Sequence, residues 1–225
     1  GPVYLRGTYR FEDTLAACEQ DAPPLMAIDP ANADAFATVD VNGVTRRVYR
    51  WDGSRSAAQT AGLSLRTTGM LPADNYSVEV LFRFTEPFAD VRRVLDTTDR
   101  TAAGGVSLDA AHHVVAGSGT AGTGTAAPQE FHHLVLTVTT GGVAETWLDG
   151  VRQSALTGQT GLNIPASGLL HFFAANLTGT GDNEYADGEI ALLRVYEGVL
   201  PANRIAAQAA YPFGPDRAMD VNRDL

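Results

Sequence analysis

The chain has 225 residues, a formal net charge of −10, 44% apolar residues and one cysteine, Cys18. That length suits one large or two small domains, and the composition can bury a sizeable core. The negative charge argues against nucleic acid, whose binding is driven by phosphate neutralisation. A lone cysteine excludes an internal disulfide, and no run approaches the roughly 18 apolar residues of a membrane span. All 16 basic residues are arginine, which removes Schiff-base and P-loop lysine chemistry.

Gly1-Pro2 reads as the remnant of a cleaved tag and is set aside. Val3–Phe11 reads as an entry strand, with Val3, Leu5, Tyr9 and Phe11 alternating around Gly7. Glu12–Asn32 is broken by Pro23-Pro24 and Asp29-Pro30. Phe36–Trp51 is a hairpin about Asn42-Gly43, the dipeptide favoured where both turn residues need positive φ. Leu63–Arg66 is a short strand, and Tyr76–Phe84 is the longest β signal, with Val78, Val80, Phe82 and Phe84 on one face. Val91–Leu95, Val106–Leu108 and His112–Ala116 are shorter strands. Gly117–Ala127 is low in complexity and reads as a flexible, exposed loop.

Phe131–Thr139 pairs with Val143–Leu148, and Asp149-Gly150 turns the chain into Val151–Ala155. Leu169–Ala175 is an apolar strand, followed by the polar loop Asn176–Asp187. The last strand, Glu189–Tyr196, sets Ile190, Leu192, Arg194 and Tyr196 against Ala191, Leu193 and Val195. Apolar on both faces, it is expected to be covered on both sides. After a turn at Glu197-Gly198, Pro201 opens a short helix, where its missing N–H costs nothing. Pro212–Leu225 reads as a linker, which gives a domain over 3–211 and a tail over 212–225. About a dozen strands with regular turn signals predict an all-β fold of two packed antiparallel sheets with one short C-terminal helix.

Five stretches, in order, resemble the laminin G-like (concanavalin A-like lectin/glucanase) jelly-roll domains. They are Trp51-Asp52-Gly53-Ser54, Tyr76–Phe82, Phe131–Thr137, Leu148-Asp149-Gly150-Val151 and Asp187–Leu200. The resemblance implies a jelly-roll β-sandwich from secreted or cell-surface bacterial proteins, often a non-catalytic binding or adhesion module, often with calcium. It also implies a calcium held by an acid on the last strand and one near the first, here Glu12 or Asp13. The chain departs from this at Ala191-Leu192, where relatives carry two acids.

The acid-rich loop offers a second cation site, with Asp182, Glu184 and Asp187 beside Asn176 and Asn183, because a hard cation wants clustered oxygens. Asp220-x-Asn222-x-Asp224 resembles the start of an EF-hand-type loop but lacks its glycine. Glycoside hydrolysis needs paired carboxylates flanking the scissile bond, which strand residues i and i+2 would supply; no strand has such a pair, and Glu79 is the only acid in its strand. His132-His133 and His112-His113 point to opposite faces if extended, so neither pair can hold one metal. Sugar binding needs exposed rings with polar groups beside them. Trp51 and Trp147 lie in framework motifs, which leaves Tyr185 and Tyr76 as stacking candidates, with Asn176 and Arg92 as polar partners.

The expectation is an extracellular or cell-surface binding module of a larger chain, working beside that chain's other domains. Its partner is a glycan or a cell-surface protein, with calcium as the expected cation and no membrane insertion. A ligand-free spacer domain is the alternative, and a glycan-active hydrolase the second alternative.

Overall fold

A computed structural model of the chain describes residues 1–53, 61–178 and 184–214. In chain order the strands are β1 (Tyr4–Tyr9), β2 (Met26–Ala27), β3 (Ala35–Val41), β4 (Val44–Trp51), β5 (Leu63–Arg66), β6 (Tyr76–Phe84) and β7 (Arg92–Asp96). There follow β8 (Val106–Leu108), β9 (Val114–Ala116), β10 (His132–Val138), β11 (Ala144–Leu148), β12 (Val151–Leu156), β13 (Leu169–Phe172) and β14 (Gly188–Glu197). Helix α1 (Ala202–Ala210) comes last. The larger sheet runs β12-β11-β10-β6-β14-β4-β3, and β1 also pairs with β14; the smaller runs β2-β5-β13-β7-β8-β9. All pairings are antiparallel. No helix among the described residues is long and apolar enough to cross a membrane.

Alternation along the strands builds the core between the sheets. Val78, Val80, Phe82 and Phe84 of β6 enter it together, as their spacing predicts. They meet Leu63, Leu65, Leu170 and Phe172 of the smaller sheet. Trp51 stacks on Phe173 with ring centroids 4.0 Å apart. Each fully buried large apolar side chain stabilises the fold by about 1.5–3 kcal/mol.

β14 departs from simple alternation. Its register with β6 slips between Ile190 and Leu192, which inserts Ala191 as an extra residue. Ile190, Leu193 and Val195 therefore face the core, while Ala191 and Leu192 join Val41, Val48, Leu81 and Phe131 in a cluster on the outer face. This corrects the expectation that Ile190 shares a face with Leu192. Ala191 and Leu192, the two positions where the resemblance implies acids, are here both buried in an apolar patch.

The chain's C-terminal segment covers that outer face like a clasp. Pro201 stands in extended conformation just ahead of α1. Ile205 and Leu200 pack on Val135 and Tyr196, with Trp147 partly buried beside them. Phe213 packs on the Val41–Val48–Leu192 cluster, and Arg194 donates to the Pro212 carbonyl. Pro212 and Phe213, just past the boundary expected at residue 211, thus pack against the sandwich.

The glycine-rich stretch 117–127 is a loop exposed over much of its length, as expected, and it is tied down by hydrogen bonds. It runs back along the sheet edge, with the Gly122 amide bonded to the Val114 carbonyl and the Gly124 amide to the Gln153 side chain. Its lack of side chains allows the close approach: a Cβ at Gly122 or Gly124 would meet Gln153.

Candidate functional site

The structure scatters the side chains the sequence singles out. Tyr76 is fully buried and donates its hydroxyl to the Leu162 carbonyl. Tyr185 is 4% exposed, and its hydroxyl accepts from Arg100 at 2.7 Å. Neither ring offers a face to solvent. Asn176 is also buried and donates to the Thr178 carbonyl. Arg92 lies over Phe88, 5.3 Å from the ring centroid, and burial lowers its guanidinium from the usual range. Tyr185 and Glu184 are bonded to Arg100 and Arg93, as framework rather than as the wall of an open cleft.

Three of the expected calcium ligands are tied to other groups. Asp13 pairs with Arg47, and Glu184 pairs with Arg93 at 2.7 Å. Asp187 accepts from the Gly53 amide at 2.6 Å. Glu12 is exposed and lines a hollow rich in arginine. Asp182, Asn183 and the Asp220–Asp224 stretch lie outside the described residues. Among the described residues no group of three or more histidines, cysteines and acids is placed to hold a metal ion.

The hollow beside Glu12 leads to the best-formed candidate. Two hollows adjoin where the β3–β4 hairpin meets the segment after α1. One, of about 220 Å³, lies among Val41, Asn42, Val44, Ala210, Tyr211 and Phe213. The other, of about 310 Å³, lies among Arg10, Glu12, Thr38, Thr45, Arg47 and Phe213. Arg46 and Phe213 line both. The Arg46 guanidinium carbon sits 3.4 Å from the Phe213 ring centroid, a cation–π contact that holds the dividing wall in place. Tyr211 is 67% exposed at the margin.

Local sequence explains the groove. The Asn42-Gly43 turn, both residues at positive φ, pins the hairpin register and with it Arg46 and Arg47. Tyr211 follows the end of α1, and Phe213 is anchored in the outer apolar cluster. These aromatics escaped the sequence reading because they fall in a stretch that reads as linker. The signal was present: two rings in Tyr211-Pro212-Phe213 are unusual for a solvated tail.

A larger hollow of about 510 Å³ lies by Leu5, Arg6, Glu19, Asp21, Met70 and Glu197. No aromatic ring lines it among the described residues. Two of its acids are committed, Glu19 to Thr8 and Glu197 to Arg6.

A family model of the concanavalin A-like lectin/glucanases superfamily, of laminin G type, matches residues 52–206. The chain belongs to that superfamily. Its motifs are framework in this domain. The Trp51 indole donates to the Ala186 carbonyl at 2.8 Å, and Gly53 sits so close to Ala186 that a Cβ would collide with it. Asp149 turns β11 into β12 and accepts from the His133 amide, while its other oxygen lies 2.8 Å from His132 Nδ1. The two histidines are thus held by hydrogen bonds on opposite faces.

No curated protein matches this laminin G-type chain by sequence. Among solved structures it is similar to domain 4 of AbnA, an extracellular GH43 arabinanase from Geobacillus stearothermophilus, in complex with arabinotriose. That similarity has a TM-score of 0.67 at 16% identity and covers 93% of this chain and all of that one. It is also similar to a botulinum neurotoxin type C structure, described by cell entry that depends on two ganglioside molecules. There the TM-score is 0.63 at 8% identity, over 92% of this chain and 51% of that one. A Trypanosoma rangeli sialidase gives a TM-score of 0.55 at 14% identity, over 89% of this chain and 35% of that one. At these identities the likeness establishes a shared fold.

Proposed function

We propose that this domain is a non-catalytic glycan-binding module of an extracellular or surface-attached protein, and that the Tyr211–Phe213 groove is its binding site. The observation that carries the reading is the groove itself. It sets an exposed aromatic ring beside amide, hydroxyl and guanidinium groups, which is the combination a sugar needs for stacking and orientation. Similarity to an arabinanase domain solved with arabinotriose supports the ligand class, and that domain is matched over its whole length. The buried acids favour binding over hydrolysis: Glu79 and Glu189 are fully buried and each is paired to arginine.

A glycan array of plant, algal and microbial polysaccharides tests the reading. Binding to a defined set of oligosaccharides, with no reducing sugar released, is the expected result. Silence across the array would favour the spacer, and release of reducing ends would favour an enzyme.

A further inference from the structure

We propose that the groove takes an anionic oligosaccharide of at least two sugar residues, one stacked at Tyr211 and the next presenting a carboxylate or sulfate toward Arg10. This rests on the glycan-binding reading and narrows its ligand class.

The first observation is size. Ligand sites run roughly 300–1,000 Å³. The Tyr211 hollow, at about 220 Å³, falls below that range, and the Arg10 hollow, at about 310 Å³, only reaches its lower end. Arg46 and Phe213 line both, so the two read as adjoining subsites along one ligand rather than as separate pockets.

The second observation is charge. The chain carries −10 overall, yet three of its 16 arginines line one small hollow. Among the described residues the only acid in that lining is Glu12; Asp13 beside it and Arg47 are taken up by each other, and Arg46 lies on Phe213, so the charge offered to a ligand is that of Arg10. Arg10 is exposed and has no ion-pair partner among the described residues. Guanidinium groups match carboxylate and sulfate oxygens in a planar, bidentate way, and arginine serves this better than any other side chain. Arginine clustered against the sign of the whole molecule, with hydroxyls of Thr38 and Thr45 beside it, selects an oxyanion on a sugar rather than a neutral chain. The two ends differ as well: Tyr211 lies among valine and alanine side chains, so the stacked residue needs no charge.

The test uses the full chain and isothermal titration. The probes are trigalacturonate, its neutral methyl ester, monomeric galacturonate and a sulfated galactan trisaccharide. The two acidic trisaccharides separate a carboxylate preference from a sulfate preference. At least one of them is expected to bind about tenfold or more tighter than the neutral ester and the monomer, the scale of one charge-assisted hydrogen bond. Arg10→Gln should bring the acidic trisaccharides down to the affinity of the neutral ester measured on the same variant, and added salt should narrow the same gap. Arg10→Gln lies on an exposed side chain, and an unchanged melting temperature checks that the fold is intact. Equal binding of the acidic and neutral trisaccharides overturns the anionic preference but leaves the glycan reading standing. Equal binding of monomer and trimer overturns the two-subsite arrangement. An acidic preference that survives Arg10→Gln places the oxyanion elsewhere and overturns the assignment. Absence of binding to these probes and to every member of the glycan array overturns both readings.

Discussion

Nε2 of His133 lies 2.8 Å from the Glu79 carboxylate, and both side chains are sealed beneath the C-terminal clasp. Tyr196 donates its hydroxyl to the same carboxylate at 2.9 Å, and Arg194 approaches at 3.3 Å. Gln208 of α1 then donates to the Tyr196 hydroxyl, and Arg194 to the Pro212 carbonyl. Glu79 is therefore the centre of a network that fastens α1 and the groove's Pro212–Phe213 wall to the larger sheet.

Removing that charge should loosen the clasp. Burial alone would raise the Glu79 carboxyl, but the His133 hydrogen bond, the Arg194 charge and the Tyr196 hydroxyl hold it below the usual carboxylate range. Its stabilisation is thus present above the unfolded value of 4.5 and is lost as pH falls through the lower folded value. Glu79→Ala is expected to cost roughly 3–5 kcal/mol in urea unfolding at pH 7, since it strands a largely buried cation. A cost below about 1 kcal/mol would show that the network does not hold the clasp.

Asp34 should titrate in the opposite sense. Burial pushes its carboxyl up to about 6, despite the hydrogen bonds it accepts from Tyr49 and the Asp52 amide. Its contribution to stability is present below 3.8 and is lost as pH rises through about 6. Carboxyl-carbon NMR should find one aspartate titrating near pH 6 that disappears in Asp34→Asn. A full set of aspartates titrating in the ordinary range would refute this.

Gly188 marks a tight strand junction. It pairs with Trp51 of β4 and Phe84 of β6, and a Cβ there would run into the Trp51 ring and the Arg83 carbonyl. Gly188→Ala is expected to cost about 1–3 kcal/mol or more. Gly161→Ala, with open space around it, should stay within about 0.5 kcal/mol. Thermal unfolding of the pair decides the point, and equal melting temperatures would contradict this account of the junction.

Calcium should leave the melting temperature unchanged relative to EDTA. Asp13 and Glu184 are already neutralised by arginine, and Asp187 is engaged by a backbone amide. A calcium-dependent rise would mean that these pairs open to bind the ion.

Much of the fold was legible because it rests on local chemistry. Asn42-Gly43 fixed one hairpin, Asp149-Gly150 another, and alternation in Tyr76–Phe84 picked out its core face. The bulge at Ala191 was not legible, because a strand apolar on both faces gives alternation nothing to register. The site was read poorly for a related reason. Tyr76 and Tyr185 have polar neighbours in sequence, but partners distant in the chain, Leu162 and Arg100, draw them inward. Tyr211 and Phe213 have linker-like neighbours, yet a cluster assembled from four strands and the loop residue Phe131 holds Phe213 in place.

The central claim is that the Tyr211–Phe213 groove binds glycan. Its most direct test is titration of the best array ligand into the wild type and Tyr211→Ala, both shown folded by circular dichroism. Tyr211 is exposed, so its loss should leave stability nearly unchanged while weakening binding by about tenfold or more, the scale of an aromatic anchor. Equal affinities in the two proteins would contradict the account and move the site elsewhere on the sandwich.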